Sequence, residues 1–359
     1  MKSKNILEIC LSPDLGGLEL FAYNCYSEFS KKTNSFFALQ KGKKLDNYFD
    51  DTNKLYLKRS KFPLLSAWEL AKFIDKEDIG IVHFHWTKDI LTVVLARTLS
   101  KKKPTIVQSR HMRMTRFKDD FYHKWLYKNI DLMHAVTKEV AKQLERFIPE
   151  DIRPEIKRVY LGVKEKKLLK KKQLDALYKK KEGEFLVGIV GRIEEAKGQS
   201  KVIKALALLP KNVKLFIIGA PMKEEYLESL KQKVEALNLT NRVYFCGFTK
   251  EVDAYMQLCD VTVMATENET FGLVVIESMA NRTPVIAKNM GGPLEIIENG
   301  VDGLFFDGSS EDLAQKIEIL LNDRSMLEKL REHALEKVHK EFDFKKQLQK
   351  LYEVIVDES

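Results

Sequence analysis

Short apolar runs recur along the chain, with longer helix-period stretches between them. In the first half, the runs at residues 5–11, 35–39, 79–84 and 105–108 read as strands. In the second half the same reading applies to residues 185–190, 214–219, 242–246, 261–265, 284–287 and 303–305, with amphipathic stretches such as 199–209 between them. Alternation of this kind predicts βαβ units and parallel sheets. A lysine-dense stretch at 164–183, whose main apolar anchors are Leu168, Leu169 and Leu174, separates the two series. The expected organisation is therefore an α/β domain over residues 1–163, a lysine-rich linker region over 164–183 and a second doubly wound α/β domain over 184–342. From residue 309 to 356 the pattern is mostly helical, interrupted near 341–344, and a C-terminal helix over 343–359 is expected to pack back on the first domain.

Length agrees with two domains, because 359 residues exceed what one hydrophobic core usually holds. A hydrophobic content of 44% and a charged content of 31% are ordinary for a soluble protein, and no apolar run is long enough to span a bilayer. Glu8 interrupts the first apolar run, and Pro13, Asp14 and two glycines follow it, so no secretory signal is expected. Cys10, Cys25, Cys246 and Cys259 lack metal-ligand or redox spacing and read as reduced core thiols of a cytoplasmic protein.

The net charge of +9 is unevenly spread. Residues 1–180 hold 38 Lys+Arg against 22 Asp+Glu, whereas residues 181–359 hold 23 against 30. The basic excess lies wholly in the first half. It suits contact with an anionic membrane, a phosphorylated lipid or nucleic acid, and equally a merely solvated basic surface.

The sharpest candidate chemistry is Glu269-Thr270-Phe271-Gly272-Leu273-Val274-Val275-Ile276-Glu277, which follows the apolar run 261–265. It reads as strand, loop and helix. Gly272 permits close backbone approach to a ligand. The amides of Gly272, Leu273 and Val274 open a helix, where free N–H groups and the dipole favour a diphosphate. Glu277 stands about one turn into that helix, and Glu269 at the strand's carboxyl end. Each glutamate alone reads as a solvated carboxylate; together around Phe271-Gly272 they read as a site.

With these residues the chain resembles the family 4 retaining glycosyltransferases, whose paired-glutamate signature Glu269 and Glu277 match. The resemblance covers most of the chain and implies the GT-B architecture, two Rossmann-like doubly wound domains facing an interdomain cleft. It implies that Glu269 positions a donor sugar and that Glu277 binds the ribose. Gly191-Arg192 and Lys197-Gly198 resemble the family's phosphate-binding segment, which makes Arg192 and Lys197 a cationic clamp on the donor diphosphate. Gly219 and the pair Gly247-Phe248 resemble segments lining the nucleotide base pocket, and Gly291-Gly292 a later glycine segment closing the donor site. In the first domain Gly16-Gly17 resembles a glycine loop near the diphosphate. His111, after a strand, resembles the histidine that contacts the donor sugar, while His85 resembles an acceptor-side residue but reads more simply as packing. The family's Asn and Asp at the end of domain one are missing from Leu161-Gly162-Val163-Lys164, which puts the local linker geometry in question. No Asp-x-Asp triplet occurs, so metal-independent donor binding is expected, with no cofactor.

Residues 110–128 interleave Arg113, Arg116, Lys118 and Lys124 with Phe117, Phe121 and Trp125, the three aromatics spaced by four as one helical stripe. That composition suits an interfacial helix on an anionic membrane, and also a stripe packed on its own domain. The expected activity is transfer of a sugar from a UDP- or GDP-linked donor, with retention, to a glycan or lipid-linked acceptor in cell-surface polysaccharide, lipopolysaccharide or glycolipid synthesis. The expected location is cytoplasmic, with peripheral contact at the inner face of the membrane. A nucleotide-sugar epimerase of similar architecture is the nearest alternative. A basic nucleic-acid-binding protein is a more distant one, since no nucleic-acid recognition motif is present and none is expected as a partner.

Overall fold

The computed structural model describes residues 4–48 and 53–357. Its first sheet contains β1 (Asn5–Ile9), β2 (Ser35–Leu39), β3 (Lys54–Tyr56), β4 (Ile79–Phe84), β5 (Thr105–Arg110), β6 (Leu132–Ala135) and β7 (Glu155–Arg158). The strands lie in the order β3-β2-β1-β4-β5-β6-β7 and pair in parallel throughout. The second sheet contains β8 (Phe185–Val190), β9 (Val213–Ile218), β10 (Val243–Gly247), β11 (Val261–Met264), β12 (Val285–Lys288) and β13 (Gly303–Phe306). Its order is β10-β9-β8-β11-β12-β13, again all parallel. Each is a doubly wound α/β sheet.

Parallel strands covered on both faces become continuous apolar runs. All five residues of β2 and all four of β11 are buried. This is why the apolar runs located most strands. The apolar-run reading passes over β3, β6 and β7. The first and last are sheet edges with partly exposed polar residues, and β6 is a four-residue strand carrying His134. The strand order reverses between β1 and β4 in one sheet and between β8 and β11 in the other. At such switch points adjacent loops diverge and open a crevice at the carboxyl ends.

Residues up to Leu161, together with the segment from Lys346, form one compact unit, and Gly162–Lys345 form the other. In the first unit the terminal helix Phe344–Asp357 buries Leu348, Leu351 and Ile355 and places Tyr352 5.3 Å from the ring of Phe29. In the second unit, the Val163 amide donates to Phe342 O at 2.8 Å and the Phe344 amide to Val163 O at 3.1 Å. A side-chain carbon on Gly162 would stand 2.7 Å from Phe344 Cα, so the segment 161–164 needs glycine there. The lysine-rich stretch 164–183 belongs to this second unit. Lys166 pairs with Asp253 at 2.8 Å, and Tyr178 packs on Phe216 and Tyr244.

The aromatic stripe is corrected. The helix runs Phe121–Lys128, started by Asp120 accepting from the His123 amide, so Phe117 precedes it and sets its ring 5.2 Å from Phe147. Leu126 and Tyr127 form its buried face, Trp125 is half-buried, and Phe121 is 89% exposed. Among the described residues no helix is long and apolar enough to cross a membrane.

The tightest backbone approach lies in the second sheet. Gly219 follows β9 at φ +149°, and a side-chain carbon there would fall 1.9 Å from Gly191 O. Gly219→Ala is expected to destabilise the second unit by roughly 2–4 kcal/mol, from strain and displacement of the neighbouring loop. Thermal unfolding followed by circular dichroism checks it; an unchanged transition refutes the requirement for glycine.

Candidate functional site

The candidate residues form two groups, one in each unit. In the second unit three loops leave the carboxyl ends of β8, β11 and β12 and are held together by glycines. Gly191, after β8, donates its amide to Ile218 O at 2.9 Å, and Gln199 Nε2 donates to Arg192 O at 2.9 Å. A single 3-10 turn, Glu195–Lys197, ends at Gly198, whose left-handed backbone (φ +77°) starts the helix Gln199–Ala207. A side-chain carbon at Gly198 would meet Ala265 O at 2.6 Å, so this loop is seated on the end of β11.

The loop after β11 carries Glu269. Its backbone carbonyl accepts from the Gly292 amide at 3.0 Å. Side-chain carbons at Gly291 and Gly292 would stand 2.4 Å from Glu269 O and 2.2 Å from Phe271 O. The glycine pair after β12 thus fixes this loop from below. Phe271 is buried beside Phe342, and Gly272, left-handed at φ +101°, caps the helix Leu273–Ala280. The first N–H groups of such a helix, here on Leu273 and Val274, have no carbonyl one turn back to bond. Thr270 donates its amide to Glu269 Oε1 at 3.2 Å.

The fold brings Lys197 and Glu269, 72 residues apart, into an ion pair at 3.3 Å. Both side chains remain partly exposed, at 26% and 22%. Arg192 is more open, with Nη2 3.3 Å from Glu194 and Nη1 3.7 Å from Met222 Sδ. Glu277 sits in the fifth position of the helix, half-buried. Burial raises its carboxyl above the usual range, Lys166 opposes this, and Asp253 adds to it. Gly247 ends β10 in the left-handed region and accepts from the Gly219 amide at 2.9 Å, while Phe248 is 77% exposed.

Glu267 was not legible beforehand. It pairs with Lys201 and with Lys288, the latter at 2.9 Å, and its amide bonds Ala196 O. The two lysines pull its carboxyl down to about 2. The pairing ties the β8, β11 and β12 loops together ionically, and each partner is distant in sequence. Beside these loops lies an open cavity of about 930 Å³, lined by Ile193, Glu194, Gly198, Lys201, Tyr226 and Glu267 among others.

In the first unit Gly16 caps the helix Gly17–Phe29, but its amide already bonds Glu19 Oε2 at 2.8 Å. His111 follows β5, where the buried Arg110 shapes the turn by donating to Met112 O, Thr87 Oγ1 and Arg113 O. The ring of His111 meets Phe21 edge-on at 4.9 Å and stacks on His85 at 5.9 Å. Burial, with His85 next, holds it well below the ordinary imidazole range, so it is neutral. Its Nε2 is buried without a partner among the described residues.

Residues 170–337 match the family described as "Glycosyl transferases group 1", and residues 15–166 match "Glycosyltransferase Family 4". An uncharacterized glycosyltransferase, MJ1178 of Methanocaldococcus jannaschii, is 27% identical over 310 residues, covering 82% of this chain and 81% of that one. The capsular polysaccharide biosynthesis glycosyltransferase CapM of Staphylococcus aureus is 30% identical over 182 residues, 49% of this chain and 47% of its own. Among solved structures, Anabaena Alr3699/HepE in complex with UDP superposes with a TM-score of 0.85 at 20% identity, covering 99% of this chain and 100% of that one.

Glu267 has a folded carboxyl near 2 against an ordinary 4.5. Its stabilising effect is therefore present above pH 4.5 and lost as pH falls towards 2. The side chain is 42% exposed, so water screens the pairs and the contribution is about 1 kcal/mol. Glu267→Gln should lower the unfolding midpoint at pH 7 and converge on the unsubstituted protein as the pH falls to about 2. A difference independent of pH would show that charge is not what Glu267 supplies.

Proposed function

The chain belongs to the glycosyl transferases group 1, within glycosyltransferase family 4, and on that premise we propose that it transfers a sugar from a nucleoside diphosphate donor, with retention, to a glycan or lipid-linked acceptor. The observation that carries this reading is Lys197 paired with Glu269 beside the open helix start at Gly272. Diphosphate at that helix start takes Lys197 as a counter-charge and leaves Glu269 to accept from sugar hydroxyls. Arg192, exposed on the neighbouring loop, supplies a second cation. As the bond from the anomeric carbon to the diphosphate oxygen breaks, Lys197, Arg192 and the amides of Leu273 and Val274 stabilise the growing charge. The acceptor oxygen bonds to the same face, and its proton passes to the departing diphosphate. No enzymatic nucleophile is then required. Glu277 holds the ribose, and His111, neutral and with an unpaired Nε2, is suited to a hydroxyl of the donor sugar. The capsular relative and the UDP complex of the structural neighbour support a nucleotide-sugar donor and an acceptor of the surface-polysaccharide kind. The family matches favour this reading over the epimerase and nucleic-acid alternatives.

Contact with anionic membrane belongs to the same reading. Phe62, Leu64, Leu65, Phe117 and Phe121 are between 56% and 89% exposed, in a half of the chain with a basic excess. Large apolar side chains left in water beside cations suit a headgroup surface.

Lys197→Ala and Glu277→Ala should each weaken nucleoside diphosphate binding by roughly 1.5–3 kcal/mol, one losing a charge-assisted contact and the other a ribose acceptor. Calorimetric titration with UDP and GDP reads this, and unchanged affinity in both variants overturns the site. His111→Ala should lower kcat more than nucleotide affinity, in steady-state kinetics with the donor that binds. For the membrane, Phe62→Ser with Phe121→Ser should reduce flotation with anionic vesicles at low salt and leave nucleotide affinity unchanged. Failure of the unsubstituted protein to float with such vesicles removes that contact.

A further inference from the structure

Five polar side chains of the first unit take no part in the reaction above, yet each is 1% exposed or less: Glu8, His83, His85, Ser109 and His134. They form a continuous hydrogen-bonded chain across β1, β4, β5 and β6. His85 Nε2 lies 2.6 Å from Glu8 Oε2. His83 Nδ1 lies 3.1 Å from Glu8 Oε1 and 2.9 Å from Oε2. His83 Nε2 is 2.8 Å from Ser109 Oγ, Ser109 Oγ is 2.7 Å from His134 Nδ1, and His134 Nε2 is 2.7 Å from Val159 O.

The far end gives this chain a direction. A carbonyl only accepts, so His134 carries its proton on Nε2 and, being neutral, offers Nδ1 as an acceptor. Ser109 then donates its hydroxyl to His134, and its oxygen accepts from His83 Nε2–H. That leaves a lone pair on His83 Nδ1 facing the Glu8 carboxyl. Such a link forms only if one proton lies between them. The remaining carboxyl oxygen accepts from His85 Nε2–H, and His85 Nδ1 is left bare; it is indeed buried without a partner among the described residues.

We propose that Glu8, His83, Ser109 and His134 are positioning residues that hold one proton between Glu8 and His83 and lock His85 as its Nε2–H tautomer, giving His111 a fixed ring to stack on. The link to turnover rests on the function proposed above for His111; the proton arrangement does not. Burying an ion is expensive, which favours the neutral carboxylic acid over a carboxylate. Burial accordingly raises the Glu8 carboxyl and depresses His83 to about 3 and His134 to about 4.

A metal held by Glu8, Cys25, His83 and His85 is the rival occupant, since their ligand atoms lie within 4.8 Å of one another. Bonds of about 2.0 Å to a tetrahedral zinc would space nitrogen and oxygen ligands roughly 3.3 Å apart. The Glu8–histidine distances of 2.6 and 2.9 Å are shorter than that. Burial also keeps the Cys25 thiol protonated, whereas a ligand must be thiolate.

The test uses the full chain labelled with ¹⁵N at histidine, whose ring shifts report tautomer and charge. His83, His85 and His134 should be neutral at pH 7, with the proton on Nε2. Glu8→Gln should keep this pattern, because an amide donates to His83 and accepts from His85 as the protonated acid does, and should retain turnover. Glu8→Leu, of similar size without polar atoms, should release the His85 tautomer and lower kcat roughly tenfold or more with little change in KM for the donor. If Glu8→Leu does not fold, Ser109→Ala cuts the chain at a smaller side chain and should alter the His83 and His134 shifts. A charged His83 at pH 7, an Nδ1–H tautomer of His85, a Glu8→Gln variant as impaired as Glu8→Leu, or stoichiometric zinc in the purified protein would each overturn the proposal. Intact tautomers in a protein that turns over no nucleotide sugar would instead overturn the function and leave the proton arrangement standing.

Discussion

Close approach of backbone to backbone at the carboxyl ends of β8, β11 and β12 is the constraint on which the second unit's site depends. Gly219 lies against Gly191 O, Gly198 against Ala265 O, Gly291 against Glu269 O and Gly292 against Phe271 O, all at separations that a side-chain carbon would close below 3 Å. Without those contacts, Lys197 and Glu269 would sit on independent loops. With them, the two meet 3.3 Å apart. Glycine is usually read as flexibility; here the left-handed backbone at Gly198, Gly272 and Gly291 permits packing that makes the loops rigid.

Charge then acts on a frame already set by packing. Lys197 with Glu269, Arg192 with Glu194, and Glu267 with Lys201 and Lys288 place both signs on the segments at the carboxyl ends of β8, β11 and β12. Exposed pairs of this kind contribute little to stability. In the function proposed above they serve by exchange: an anion arriving at Gly272 would take over a cation from a carboxylate, leaving that carboxylate to accept from sugar hydroxyls.

The first unit makes the opposite choice. Its sequence carries an excess of Lys and Arg, but its central strands bury Glu8, His83, Ser109 and His134 with hydrogen bonds between neighbouring strands. Buried polar groups are tolerated where each finds a partner, and such chains favour one arrangement over its alternatives. This unit is therefore tied across its strands by a polar seam, where the second is tied by close glycine contacts.

How much was legible in the sequence follows from the range of each interaction. Local pattern determined the two series of parallel strands, since a strand buried on both faces must be apolar along its length, and it determined the strand-loop-helix order around Gly272. It also carried the family resemblance through Glu269 and Glu277. Edge strands such as β7 were hidden because half their residues face water, and the helix start at Asp120, which excludes Phe117 from the stripe, depended on one capping hydrogen bond. Glu8 showed only as a charge interrupting an apolar run. Which groups it met was decided by strand order, which places β4 beside β1 although 69 residues separate the end of one from the start of the other. The same holds for Lys197 and Glu269, and for Glu267 and its two lysines: residue type is written in the chain, but partnership is set by which strands lie side by side, and no local rule contains that order.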